Sequence, residues 1–192
     1  IDLYLSQGEE EAVVVSARDE EWRDRIVTEV VDGILRIKMD KRKFNSGSGK
    51  MKAYVSFTSL DRLSASGACD VYVDGVISGR DLSLKLNGAS SFKGAIHVGE
   101  LQLEQNGASD SRITGAVTGA IKVICTGASD LKGYDLTVES CEAHASGASD
   151  IKITVNKELK ASASGASSVF YKGEAVVSES HSSGASTIRK SS

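Results

Sequence analysis

Four aspartates, Asp70, Asp110, Asp130 and Asp150, each stand three residues after a glycine that is followed by alanine. Carboxylates in a row are hard oxygen ligands of the kind calcium takes. Two carboxylates facing one bond are also what glycoside hydrolysis requires. The histidines offer less. His97 stands nine residues after Gly88, whereas His144 and His181 stand three before Gly147 and Gly184. With Ser162 at the equivalent place between the last two, no nucleophile–base pair emerges, and all three read as solvated surface side chains. Cys69, Cys125 and Cys141 cannot all pair with one another. They show no C-x-x-C spacing and no histidine at ligand distance, which argues against zinc and for buried thiols acting as small apolar side chains. Trp22, the sole tryptophan, reads as an anchor of a local core rather than a sugar-stacking platform.

The elements that position these groups follow from a repeat. Gly67, Gly88, Gly107, Gly127, Gly147, Gly165 and Gly184 are each followed by alanine, and they lie 21, 19, 20, 20, 18 and 19 residues apart. Before each glycine the residues alternate: Leu82, Leu84 and Leu86; Leu101, Leu103 and Gln105; Ile121, Val123 and Cys125. Period two marks a strand with one buried face. Four residues after most of the glycines an apolar residue returns, at Val71, Phe92, Leu131, Ile151, Val169 and Ile188. A helix-free unit of this length cannot close its own core, so the units must stack. The expected fold is all-β: a right-handed parallel β-helix of about seven coils, one coil per repeat, with successive coils about 4.8 Å apart.

The repeated corner needs glycine for its backbone. The following alanines, Ala89, Ala108, Ala128 and Ala148, are expected to form a buried column, as are Leu84, Leu103 and Val123, while the serine bonds back to the turn. In this register Cys125 and Cys141 sit in adjacent coils but roughly 13 Å apart along the strand, beyond the separation of about 7 Å that a disulfide spans. Toward the C-terminus the inward residues shrink, ending at Ser178, Ser180 and Ser182, as a capping coil would.

Residues 1–59 lack the repeat and read as a β-rich cap on residues 60–192. Within them a short helix is expected over Asp19 to Arg25. A hairpin should turn at Asp32-Gly33, and a glycine- and serine-rich basic loop should fill 41–50, with Val55 and Phe57 leading into the first coil.

Asp110, Asp130 and Asp150 fall on three consecutive rungs, which makes them the single candidate metal ladder. A uniform ladder is a structural pattern, however, and Ser91 and Ser168 interrupt it on either side. The expectation is therefore no metal, no cofactor and no catalytic residue. The net charge of −3 is the balance of 23 basic and 26 acidic residues. They are interspersed with no basic stripe, which argues against nucleic acid as a partner. No apolar run reaches the roughly 20 residues of a membrane span.

The S/N-G-A-S-D turns, the L-x-L-x-L strands before them and the leading Asp32-Gly33-Ile34-Leu35-Arg36-Ile37 resemble the head GIN domain family. That family is labelled as auto-transporter adhesins and occurs among Bacteroidetes-type envelope proteins. The resemblance covers nearly the whole chain. It implies a β-helical fold and export, with an export signal upstream of Ile1 and a secreted, periplasmic or outer-surface location; it supplies no catalytic residue. The expected function is a non-catalytic binding or adhesion module whose partner is a glycan, lipid or protein at the cell surface, with self-association through sheet faces as a further expectation. The alternative is a pectinase-like, carbohydrate-active β-helix enzyme.

Overall fold

The computed structural model describes residues 1–40 and 50–192, so the expected 41–50 loop lies, apart from Lys50, outside the described residues. In chain order the elements are β1 (Asp2–Gln7), β2 (Ala12–Ala17), α1 (Glu20–Arg23), β3 (Ile26–Val31), β4 (Ile34–Met39), β5 (Met51–Phe57) and β6 (Arg62–Gly67). The solenoid proper follows as β7 (Asp70–Gly88), β8 (Ser91–Gly107), β9 (Asp110–Gly127), β10 (Asp130–Gly147) and β11 (Asp150–Gly165), and ends in β12 (Ser168–Lys172), β13 (Val176–Gly184) and β14 (Thr187–Lys190).

Each of β7 to β11 is nearly one whole coil. It pairs in parallel with the coil before and the coil after, glycine opposite glycine, from Gly67 opposite Gly88 through to Gly165 opposite Gly184. This is a β-solenoid of about seven turns. Within a coil the ladder slips at bends, as between Lys132 and Leu136 and again between Val138 and Ser140.

The core is a set of columns running through the coils. Leu63, Leu84, Leu103, Val123, Ala143 and Ala161 stand directly over one another and are all buried. A parallel column has Val71, Phe92, Leu131, Ile151 and Val169, with the buried Ser111 in the one polar rung. Burying each large aliphatic side chain contributes on the order of 1.5–3 kcal/mol. No single coil can bury both sides of its own rung, so the stack is stable only as a stack.

The corner differs from the expectation in one respect. Ala89, Ala108, Ala128, Ala148 and Ala166 are exposed; the residues buried are Ser90, Ser109, Ser129, Ser149 and Ser167. The cause is that the strand's period of two carries through the corner: Ala143, Ala145, Ser149 and Ile151 all face inward, so Ala148 must face outward. At Gly147 φ is +83°, so the chain bends there while the alternation of sides is kept on either side of it. Buried there, the serine hydroxyls serve the carbonyls of the bend: Ser149 Oγ donates to Cys125 O (3.1 Å) and Ser146 O (3.0 Å), and Ser167 Oγ to Ala145 O (3.0 Å) and Ser164 O (2.8 Å). The alanine contributes its backbone instead. Ala148 N donates to Gly127 O at 2.7 Å, carrying the ladder through the corner.

The two ends are built differently. β1 lies between β5 and β7, parallel to both, with Leu3 opposite Ala53 and Val71. The strand leading into the first coil is thus separated from that coil's own sheet by the first strand of the chain. β2 pairs antiparallel with β5 at the sheet edge. α1 is capped by Asp19, whose carboxylate accepts from Trp22 N. The β3–β4 hairpin turns at Asp32 and Gly33, both at positive φ, as the type I′ geometry of such a pair requires. At the other end Ser180 and Ser182 lie opposite Ala161 and Ala163 as expected. A slip places Val177 rather than Ser178 opposite Leu159, and Ser178 turns outward to Glu158 Oε1 at 2.7 Å.

These assignments separate three neighbouring substitutions. Gly147→Ala must destabilise by more than ~2 kcal/mol, because positive φ alone costs a β-carbon about 1–2 kcal/mol and that carbon would meet Gly127 O at 2.5 Å. Ser149→Ala is expected to cost about 1–2 kcal/mol through lost donors to buried carbonyls. Ala148→Ser should stay within about 0.5 kcal/mol. Urea denaturation of the three variants checks the order, and a larger loss for Ala148→Ser than for Ser149→Ala would contradict it.

Candidate functional site

Because the core uses only inward positions, any binding surface has to be made from the outward columns. The third residue after each glycine gives one of them: Asp70, Ser91, Asp110, Asp130, Asp150 and Ser168 in register. The structure therefore brings Asp110, Asp130 and Asp150 together on adjacent rungs. Asp130 Oδ1 accepts from Asp150 N at 3.3 Å, and Ser91 Oγ donates to Asp70 Oδ1. Asp130 and Asp70 thus each accept from the next coil.

The fifth residue after each glycine gives a second column, one that the interspersed charges conceal. Tyr72, Lys93, Arg112, Lys132, Lys152, Phe170 and Arg189 lie on successive rungs. Four consecutive cations thus form the basic stripe that the linear reading found lacking. Charges spaced by one coil length in the chain become neighbours in space. Beyond Tyr72 the column continues into Tyr4 and Tyr54, whose rings stack at 5.2 and 5.0 Å. A shallow hollow of about 410 Å³ opens beside it, lined by Tyr72, Lys93, Arg112 and Thr114 over Gly94 and Ala95.

The opposite arrangement holds on the stretch that precedes each corner. There Lys85 pairs with Glu104 (2.9 Å), Lys122 with Glu142 (2.8 Å) and Lys160 with Glu179 (2.9 Å), each pair bridging adjacent coils. His144 Nε2 also meets Glu142 Oε1 at 2.8 Å. Hydrogen bonds from Lys122 and His144 hold the Glu142 carboxyl down at about 2. Beside these pairs Asn106 donates to Asn87 Oδ1 (3.2 Å) and accepts from Thr126 Oγ1. This face satisfies itself.

The other residues whose types could do chemistry lie apart from one another among the described residues. Cys125 stands opposite Ala145 and Cys141 opposite Ile121, so the two are four residues out of register. Both are free, and burial pushes each thiol up to about 12. His97, His144 and His181 are exposed. Trp22 is half-buried outside the main core, with the Arg25 guanidinium 4.6 Å over its ring. The sequence reading missed a buried polar pair: Gln105 Nε2 donates to Ser109 O (2.9 Å) and Asp130 O (3.2 Å), and its Oε1 accepts from Ser111 Oγ (2.7 Å). The signal was present, since Gln105 and Ser111 are polar at two positions where the other coils are mostly apolar.

Among described residues no group of three or more His, Cys, Asp or Glu is arranged to hold a metal ion, and no helix is long and apolar enough to cross a membrane.

Comparison with known proteins gives a consistent answer. The family described as "Putative auto-transporter adhesin, head GIN domain" matches residues 1–175. A crystal structure of a "putative adhesin" from Bacteroides fragilis superposes with a TM-score of 0.86 at 20% identity, covering 99% of this chain and 88% of that one. A "putative adhesin" from Parabacteroides merdae gives 0.76 at 16% identity, over 100% and 88%. A "putative lipid binding protein" from Parabacteroides distasonis gives 0.70 at 21%, over 100% and 89%. At these identities the structures share the fold. The search of curated proteins finds no match.

Two measurements test the electrostatics. Melting curves in calcium and in chelator are expected to overlay; a large upward shift with calcium, abolished by Asp130→Asn, would make the aspartate column a cation site. For Glu142 the folded carboxyl is depressed, so its pairing stabilises the protein above the ordinary carboxyl value of 4.5 and is lost as pH falls through about 2. Glu142→Gln should therefore lower the melting temperature slightly at neutral pH, since the pair is solvent-screened, and the difference should vanish toward pH 2. A difference that persists there would mean packing rather than charge.

Proposed function

The chain belongs to the head GIN domain family of auto-transporter adhesins, and from that membership we propose that it is an exported, non-catalytic binding module of the cell surface. In this reading residues 1–59 act as a cap and residues 60–192 as a shaft that presents ligand-facing columns. The observation that carries the reading is the unpaired outward column five residues after each glycine. Its cations have no ion-pair partner among the described residues, while the other charged face pairs with itself.

The alternative, a polysaccharide-cleaving β-helix, needs carboxylates grouped in a walled groove and poised at different tasks. Here the aspartates repeat as one column at one corner position, and glycine corners recur every 18 to 21 residues without a wall-forming insertion. Both features favour recognition over turnover.

Incubation with polygalacturonate, alginate and dextran, with and without calcium, tests the choice. No new reducing ends and no ultraviolet-absorbing unsaturated product are expected at any protein concentration. Product that accumulates in excess of the protein would overturn the non-catalytic reading.

A further inference from the structure

We propose that the row Lys93, Arg112, Lys132 and Lys152 is a binding track for an extended carboxylate-bearing polysaccharide, a polyuronate, lying along the solenoid axis. This rests on the binding-module reading above and names the chemistry of the ligand.

Geometry comes first. The four residues occupy consecutive rungs of parallel ladders, so their backbones are about 4.8 Å apart and the row is about 14 Å long. The rung spacing is close to the advance of one pyranose along an extended glycan. An extended chain therefore stays in step with the row without bending, and the carboxylates on the side facing the protein fall within reach of the long Lys and Arg side chains. The surface is open: Lys93, Arg112 and Lys132 are exposed and Lys152 is half-exposed. The hollow of about 410 Å³ beside Tyr72, Lys93 and Arg112 gives the polymer a place to seat at one end of the row.

Charge chemistry narrows the class. Two residues back on the same outward side runs the aspartate column, with Asp110, Asp130 and Asp150 beside Arg112, Lys132 and Lys152. No aspartate of that column comes within ion-pair distance of those cations among the described residues. A ligand is thus met by a line of donors with positive charge and a line of acceptors. Each residue of a polyuronate carries both complements, a carboxylate for the cations and hydroxyl donors for the aspartates.

Nucleic acid is the rival polyanion, because cations interleaved with aromatic rings also suit a single strand. Base stacking needs free ring faces, and few are left here: Tyr54 and Tyr72 each have one face already stacked. Tyr4 is sandwiched between Tyr54 and Tyr72, Arg189 covers Phe170 at 5.0 Å and Lys172 covers Tyr134 at 5.0 Å. A phosphate backbone would in addition run beside the aspartate column with few hydroxyl donors to offer it.

The test uses the whole chain and four probes: polygalacturonate, its fully methyl-esterified form, an oligothymidylate and phosphatidylglycerol vesicles. Binding to polygalacturonate but not to the ester is expected, weakening as salt shortens the screening length from about 8 Å to about 3 Å. The triple variant R112A/K132A/K152A should lose about tenfold in affinity, from exposed charge contacts of a few tenths to one kcal/mol each, with an unchanged melting temperature. The control K85A/K122A, on the self-paired face, should bind as the parent does. Should the triple variant melt early, the single variants K132A and K132E replace it, the reversal expected to weaken binding more than the truncation. Absence of polygalacturonate binding, equal binding of the ester, an unaffected triple variant, or tighter binding of oligothymidylate or vesicles would each overturn the track. Binding of the ester or the vesicles would still leave a binding module, whereas turnover of polygalacturonate would end that broader reading.

Discussion

Everything in this solenoid hangs from one contact: from Gly88 onward, the glycine of each corner lies directly against the glycine carbonyl of the coil before. A β-carbon on Gly107, Gly127 or Gly147 would sit 2.5 to 2.7 Å from that oxygen, which no packing adjustment absorbs because the obstacle is backbone. The next residue's amide donates to the same oxygen, at 2.7 Å for Ala128 and Ala148. Close approach and hydrogen bond therefore require each other. Together they pin the register at one point per coil, and a one-residue slip there would turn every inward side chain outward.

With the register pinned, the rest of the coil needs only to supply apolar residues at alternate places, which is why the fold was legible. The glycine interval predicts the coil length, and the Leu84–Leu103–Val123 column forms as the alternation requires. What misled was the corner itself. Period-two counting from Ala143 and Ala145 passes through Gly147 to Ser149 and Ile151 and puts Ala148 outside; the buried alanine column was expected against that alternation. The position of β1 was invisible for a different reason. No local pattern tells a six-residue strand that it will insert between β5 and β7, more than forty residues away along the chain; that pairing is decided by which sheet edge is left unfilled.

The interior polar pair follows the same logic of columns. Gln105 stands for an apolar residue in one column and Ser111 for one in the next; the Ser111 hydroxyl serves the Gln105 side-chain carbonyl while the Gln105 amide serves two backbone carbonyls. Without Ser111 the Gln105 Oε1 would keep only the weak Cys125 Sγ donor at 3.8 Å, a loss of about 1–3 kcal/mol. The two polar residues go together, six residues apart in sequence and facing one another across the corner at Gly107.

The outward columns are where the chain is free to vary, since neither the corner nor the core constrains them, and their composition is correspondingly informative. Like charges on adjacent rungs, about 4.8 Å apart, repel by a little under 1 kcal/mol per pair in water. The face before the corner removes that cost by alternating sign across coils, as Lys85 with Glu104 and Lys122 with Glu142. The same device was open to the column of Lys93, Arg112, Lys132 and Lys152, and a glutamate on every second rung would have stabilised the stack. Four cations stand there instead, with an aspartate line alongside that eases their repulsion through space and leaves their heads uncovered. The two faces thus handle charge differently: one pairs lysine with glutamate directly, and the other sets its cations beside an aspartate line without a direct ion pair, which leaves their heads free to meet the proposed ligand.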